Sequence, residues 1–413
     1  MPEGHLAFFI AETVEELDLE AFYAKYQGRK NDRGNLAYEP RMLLKVLLYS
    51  YCVGVFSSRK IAAGIEDLVP LRYLAAGNSP GHRTIARFRR EHVAQFAAIF
   101  AQVVVVAQSA GLVSLGKVAI DGTKVKANAS KHKAMSYDRM LVEEKRLSAE
   151  IKAILGLAED ADVAEDVVFG PDFRGDELPE ELQRRESRRA KIRAAIADLK
   201  EKQAKKDESS GRGTGRKKKM KRPNGTPPDD AQYNFTDPES QIMKTSTGGY
   251  DQCFNGQAAV DSEAQIVVAT SITQSAADVG ELLPVLESAE KVTGKKTKQL
   301  LADAGYKSEA NFAALEDRGV DAYISLGRRA ETREKASTAG PATRRMHKRL
   351  STEQGRTRFK ARKHVVEPVF GWIKNIIGFR SFSMRGLDQA RGEWSLICLA
   401  TNLRRMSKMM AWQ

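Results

Sequence analysis

The feature that most constrains this fold is an interruption. Lys117-Val-Ala-Ile-Asp121 is a short β-branched run after Gly116 that reads as a strand, with Val118 and Ile120 on one face and Ala119 and Asp121 on the other. The next strand pair comes only at 256–261 and 265–272, around a polar turn, Ser262-Glu-Ala264. A helix over 279–292, a strand over 299–302 ending at Asp303, a helix over 308–318 capped by Ser308, a strand over 321–325 and helices over 365–377 and 392–406 follow. Strand, hairpin, helix, strand, helix, strand, helix describes a mixed α/β sheet whose first strand is cut off by a long insertion.

Before that strand the chain reads as helices. Residues 41–55 carry Leu44, Leu47, Leu48 and Tyr51 at helical spacing. Ser57 and Ser58 offer an N-cap for a short helix over 60–65. After the turn signal Asn78-Ser-Pro-Gly81, residues 82–92 form a helix with Ile85 and Phe88 inward and Arg83, Arg87 and Arg90 on another face. Residues 94–107 are apolar enough for a buried helix. The insertion shows helix patterns over 137–157 and 182–206, rich in Ala, Glu, Lys and Arg, which suit a helical hairpin or coiled-coil arm. An acidic stretch, 159–176, lies between them. Residues 207–230 are rich in Gly, Ser, Pro and Lys and are expected to stay disordered.

The formal net charge of +14 calls for a polyanionic partner. It is not evenly spread: residues 184–222 carry a net +12 and residues 328–363, expected as a basic loop, a net +10, leaving −8 elsewhere. No apolar run reaches the roughly 18–20 residues of a membrane span, no basic amphipathic helix has an aromatic face, and the N-terminus lacks signal-peptide character. Cys52, Cys253 and Cys398 are scattered in apolar or neutral settings, which argues against disulfides or a zinc cluster and for a reducing, cytoplasmic compartment.

Three carboxylates stand out by position. Asp121 and Asp303 end strands, and Glu367 is read as starting a helix with Pro368 in the favoured first turn. Gathered at one sheet edge, they would need cations, and hard oxygen ligands suit Mg²⁺. Spacing alone does not select them over Asp237, Glu239, Asp251, Asp261 and Asp278. The surroundings of Glu367 shift the balance: Arg362 and Lys363 precede it, Lys374 follows two turns on, and the helix is otherwise apolar.

Val118-Ala-Ile-Asp121-Gly-Thr, Leu301-Ala-Asp303-Ala-Gly-Tyr306 and Val366-Glu367-Pro-Val-Phe-Gly-Trp-Ile-Lys374 resemble the three signature blocks of bacterial insertion-sequence DDE transposases. The block from Thr236 through Asp261 is similar to the one these proteins carry before their second strand, and Tyr38–Lys45 and Ser57–His92 resemble their helical N-terminal domain. The resemblance implies an α/β fold with an RNase H-like mixed sheet flanked by helices. Its parts would be an all-α N-terminal DNA-binding domain (1–110), a catalytic domain split into 111–135 and 232–413, and a helical and disordered insertion (136–231). It implies Mg²⁺, with Mn²⁺ as substitute, held by Asp121, Asp303 and Glu367. One ion would activate the attacking water and the other stabilise the departing 3′-oxygen, before the freed 3′-hydroxyl attacks target DNA. Lys374 matches the signature lysine expected to contact transposon-end phosphate. The signature tyrosine is missing, as Phe359 and Lys360 stand near its place, and Arg362 or Lys363 takes the arginine's. Double-stranded DNA, as terminal inverted repeats and target, is the implied partner, with a homodimer to synapse two ends.

End recognition is assigned to the helix over 82–92 through Arg83, Arg87, Arg89 and Arg90. Trp372 and Tyr306 are candidates to stack on a flipped base, with core packing as the other reading. Two other functions fit the same residues: a metal-dependent nuclease of this fold that cuts without joining, and a non-catalytic DNA-binding derivative of a transposase.

Overall fold

The computed structural model describes residues 1–26, 37–169, 180–210, 222–245, 248–327 and 340–410. It divides into two compact units, Met1–Asn128 with Met243–Gln413, and Ala129–Ile242.

The first unit opens on helices α1 (Leu6–Glu15), α2 (Glu20–Tyr23), α3 (Pro40–Cys52), α4 (Ser58–Asp67), α5 (Val69–Leu74), α6 (His82–Glu91) and α7 (Gln95–Ser109). Glu39 caps α3 by accepting from the Met42 amide, with Pro40 at the first position, where its missing N–H costs nothing. Ser57 precedes α4 but its side chain makes no cap bond. That corrects the capping expectation, while the helix forms from the Ile61 and Ile65 stripe it buries.

The sheet follows: β1 (Lys117–Lys126), β5 (Tyr250–Asp261), β6 (Val267–Thr273), β7 (Gln299–Ala302) and β8 (Asp321–Ile324), interleaved with α10 (Leu282–Thr293) and α11 (Glu309–Asp317). Its order is β4-β5-β1-β7-β8, with the short β4 (Gln241–Lys244) at one edge and β6 also pairing with β5. β5 runs antiparallel to β1 and β6, while β1, β7 and β8 are parallel. This is the RNase H-like arrangement: a three-strand antiparallel meander, then two parallel strands reached by helical crossovers. Val118, Ala119, Ile120, Leu300, Leu301 and Ala302 are fully buried, as strands covered on both faces require.

The closing helices are α12 (Pro341–Ser351), α13 (Glu353–Lys360), α14 (Arg362–Gly371), a π-turn (Trp372–Ile376) and α15 (Leu387–Met410). The expected basic loop over 328–363 is therefore helical from Pro341 onward, because Ala342 and Met346 give α12 a buried stripe. Residues 328–339 lie outside the described residues. α15 is buried along most of its length from Ala390 to Met406 and packs on β6, α3 and α7, so the N-terminal helices and the sheet share one core. Gly256 makes the closest step of that packing possible. A Cβ there would lie 2.9 Å from the Trp394 ring, whose Nε1 donates to the Gln257 carbonyl.

The second unit holds α8 (Tyr137–Phe169), α9 (Glu180–Ser210) and a two-stranded sheet of β2 (Ala134–Ser136) and β3 (Gln232–Asn234). The pairs Arg193–Glu144 and Arg185–Glu150 step in opposite directions along α8 and α9, with Arg188–Glu143 between the same helices, so the two form an antiparallel hairpin. Tyr137, Met140, Leu147, Ile192 and Ala195 form its small apolar core. Such exposed ion pairs add little each, so that core and the helices' own propensity carry the hairpin. The disorder expected over 207–230 does not hold at its start: Asp207 lies inside α9, where its carboxylate accepts from the Gly225 amide at 2.9 Å. Residues 211–221 lie outside the described residues. Among the described residues no single helix is long and apolar enough to cross a membrane.

Candidate active site

Sheet register places the first two acids. Ile120 pairs with Ala302 in the parallel β1–β7 ladder, so Asp121 and Asp303 each stand one residue beyond it on adjacent strands. Asp303 follows the end of β7, but β1 runs on to Lys126 through its pairing with β5, so Asp121 lies within its strand, which corrects its reading as a strand-end residue. Asp303 then caps a short 3₁₀ turn (Ala304–Tyr306), its Oδ1 accepting from the Gly305 amide at 2.8 Å. Asp121 Oδ1 accepts from the Gly122 amide at 2.8 Å. Burial pushes the Asp121 carboxyl up to about 6, with Arg362 opposing the shift and the Asp303 charge adding to it. The Asp303 charge thus reaches Asp121, as expected of carboxylates set side by side.

Glu367 comes from α14, and not from its first turn. The helix begins at Arg362, which puts Pro368 inside it and corrects the reading of Pro368 as a first-turn proline. The missing Pro368 N–H leaves the His364 carbonyl without its helical donor, and Gln265 Nε2 donates to that carbonyl at 2.8 Å instead. Arg362 ties the helix to the sheet: its Nη1 lies 2.8 Å from Asp121 Oδ2 and its Nη2 3.5 Å from Glu367 Oε1. The Arg362 and Asp121 side chains are 13% and 20% exposed and Glu367 is 52% exposed, so the guanidinium is wedged between a buried and an open carboxylate. Arg362 Nε is buried without a hydrogen-bond partner.

Lys374 lies in the π-turn, marked by the Ile377 amide donating to the Trp372 carbonyl at 2.8 Å. Burial pulls the Lys374 ammonium below its ordinary pKa and the Asp121 charge works against that. Its charge is thus felt at the acids, and a π-turn is a common way to re-aim a functional side chain.

Other expected residues fall into two groups. Lys363, Arg83, Arg87 and Arg90 are exposed. Arg89 is not: it is buried and donates to Tyr51 Oη and the Phe56 carbonyl, so it is part of the core and not of a groove-reading face. Tyr306 is fully buried with its hydroxyl donating to Gln257, which corrects the stacking expectation, since no face is open to a base. The Trp372 ring is already covered by Arg404 at 4.8 Å and Lys408 at 5.1 Å. The residues that spacing does not select are Arg362 as a bridge between acids and Asp278, whose carboxylate reaches Lys124, Asn255 and Gln257.

Among the described residues no three His, Cys, Asp or Glu side chains are gathered closely enough to hold one metal ion. The donors nevertheless fit a hard divalent cation: all are carboxylate oxygens, Asp121 is destabilised as an anion, and the positive charge that meets it is a guanidinium wedged toward Glu367.

An RNase H-like sheet with two acids side by side on adjacent parallel strands and a third on the covering helix defines a nucleic-acid-processing enzyme. The comparisons make that class particular. The family model described as Transposase DDE domain matches residues 224–403, which include Asp303 and Glu367, and the one described as Transposase domain (DUF772) matches residues 1–91. Together they take in about two thirds of the chain, and the chain belongs to the insertion-sequence DDE transposases. No curated protein and no solved structure matches it. The family implies DNA binding and generally uses a divalent metal.

Proposed function

We propose that the chain binds the terminal inverted repeats of its element, cleaves the element ends and joins them to target DNA. The observation that carries this is the placement of Asp121 and Asp303 side by side on adjacent strands, with Arg362 linking Asp121 to Glu367, in a transposase chain. Asp121, Asp303 and Glu367 would hold Mg²⁺, or Mn²⁺ in its place. The chemistry those ions supply when bound is activation of the attacking oxygen and stabilisation of the departing one.

The chain's own residues do the rest. Lys374, Arg362 and Lys363 supply positive charge around the acids for the phosphates of the transposon end, contacts that position DNA without reading its sequence. Arg83, Arg87 and Arg90, exposed on α6, are proposed to read the repeats. The histidines need play no part as a base: His92 is buried with its ring nitrogens on the Phe88 and Phe22 carbonyls, and burial lowers its pKa. Two copies are proposed to act together, because two ends must be brought to one target.

The test is cleavage and strand transfer on duplexes carrying the element's own ends, with Mg²⁺. Wild type should cut, and should join pre-cut ends; Asp121→Ala, Asp303→Ala and Glu367→Ala should do both far more slowly. Cutting without joining of pre-cut ends would make the protein a nuclease. Repeat binding with no cutting at all would make it a binding derivative. DNA binding should fall steeply with salt, and deleting residues 209–222 should lower that slope.

A further inference from the structure

A further carboxylate, Asp278, lies on the sheet face opposite Asp121. In the β1–β5 ladder Gly122 faces Gln257 and Lys124 faces Asn255, so these four share the face opposite Asp121. Asp278, from the segment before α10, inserts there. Its Oδ1 accepts from Asn255 Nδ2 at 2.6 Å, Gln257 Nε2 at 2.8 Å and Lys124 Nζ at 3.1 Å. Gln257 Oε1 in turn accepts from the Tyr306 hydroxyl. A second clasp runs parallel: Asn311 Nδ2 donates to the Val279 and Tyr306 carbonyls, each at 2.8 Å. Both clasps join the segment at 278–279 to the turn that starts at Asp303.

Two glycines let this happen. A Cβ on Gly122 would sit 2.8 Å from Asp278 Oδ1 and 2.4 Å from Gln257 Nε2. A Cβ on Gly305 would sit 2.9 Å from both Asp278 Oδ2 and Asp303 Oδ1. The carboxylates of Asp278 and Asp303 therefore both come up to one small space that only a residue without a side chain leaves open. Burial, with the charges of Asp278, Asp121 and Asp303, holds the Tyr306 phenol well above its ordinary pKa, so it stays a donor to Gln257.

We infer that Asp278 is a positioning residue for the metal-holding centre: through Gln257 and Tyr306 it fixes the turn that aims Asp303 at Asp121. The inference rests on the reading of Asp121 and Asp303 as cation holders. Asp278 is not assigned a contact with DNA or cation. Its effect passes through the orientation of Asp303, as hydrogen-bonded partners behind metal ligands commonly act.

The test uses the full chain and Mn²⁺ alone, with free Mn²⁺ counted by electron paramagnetic resonance. Wild type should bind Mn²⁺ and Asp121→Asn should lose that binding. Asp278→Ala and Tyr306→Phe should each weaken it by about tenfold, while duplex binding in EDTA and the cooperativity of thermal unfolding stay as in wild type. The double variant should be no weaker than Asp278→Ala, since both act along one chain of contacts. Tyr306→Phe removes a single hydroxyl and no charge, so it carries the test if Asp278→Ala does not fold. Wild-type Mn²⁺ affinity in Tyr306→Phe and in any folded Asp278→Ala, with Asp121→Asn defective, would overturn the positioning role and leave the cation reading standing. Undiminished binding by Asp121→Asn would overturn both.

Discussion

The two halves of the acidic centre are held in place by different physics. Asp121 and Asp303 extend a parallel ladder whose neighbouring residues, Ile120 and Ala302, are fully buried, so backbone hydrogen bonds and core packing fix them together. Glu367 stands half-exposed on a helix with an internal proline, just before a π-turn, and is tied to the sheet by Arg362, which also meets Asp121. The contrast shows a centre made of a rigid pair and an adjustable third member. In the proposed reaction a rigid pair would be preorganised for developing charge, whereas the third acid would first exchange its partner.

The sharpest way to break this comparison is to remove each acid in turn. Asp121→Ala and Asp303→Ala should lower single-turnover end cleavage by about 10³-fold, the upper range for losing a preorganised charge-stabilising group, and Glu367→Ala by about 10². Both sheet variants should stay folded, Asp121→Ala with a modest loss of stability because it leaves the largely buried Arg362 guanidinium without that partner. An equal loss for all three, or a larger one for Glu367→Ala, would show that the helix-borne acid is held as firmly in its working position as the strand-borne pair.

Next comes the link between the halves. Arg362→Ala leaves Asp121 without its cation, and removing one partner of a largely buried pair costs on the order of 1–3 kcal/mol. Urea unfolding at neutral pH should register that loss. Saturating Mg²⁺ should shrink it, since a bound cation would meet the same carboxylate. If Arg362→Ala matches wild type without Mg²⁺, the guanidinium is not what steadies Asp121, and the two halves are coupled some other way.

How much of the centre is legible in the sequence follows the same division. The strand pair can be read locally: a β-branched run carrying Asp121, an apolar run ending at Asp303 with a turn after it, and a parallel sheet that aligns the two, although the polar residues that continue β1 to Lys126 hide that Asp121 lies within its strand. The setting of Glu367 cannot. Pro368 looks like a first-turn residue until the helix is seen to start at Arg362, and the donor that repairs its missing N–H is Gln265, distant in sequence. Arg89 looks like its exposed neighbours because helical periodicity does not reveal that Tyr51 and the Phe56 carbonyl wait inside to accept from it. Asp278 is one acid among several of equal standing until tertiary packing sets it beside Gly122 and Gly305.

The reactivity of the thiols offers a gentler probe of the rigid half. Cys253 lies in β5, opposite Lys126 of β1, and burial pushes its thiol up to about 11; Cys52, under α15, is pushed up to about 12. Both should resist alkylation at pH 8 in the native protein and react on unfolding, because the thiolate is the nucleophile. Rapid native labelling of Cys253 would mean that the β1–β5 ladder opens readily, and the claim of a rigid pair would weaken.

The smallest expected effect lies at the repair of Pro368. Gln265 sits at a positive φ in the turn between β5 and β6, so Gln265→Ala exchanges one non-glycine residue for another and leaves the backbone cost about the same. What it removes is the donor to the His364 carbonyl, at a net cost of about 0.5–1 kcal/mol because that carbonyl is near solvent. Hydrogen exchange should quicken along Arg362–Gly371 and stay unchanged in β1 and β7, since local opening follows local contacts. Pro368→Ala restores the missing helical donor, so in that background Gln265→Ala should have no further effect. Equal effects in both backgrounds would show that Gln265 steadies the helix by packing alone. A matching rise in exchange at β1 would show that the helix and the strand ends move as one body, which would erase the distinction between the two halves.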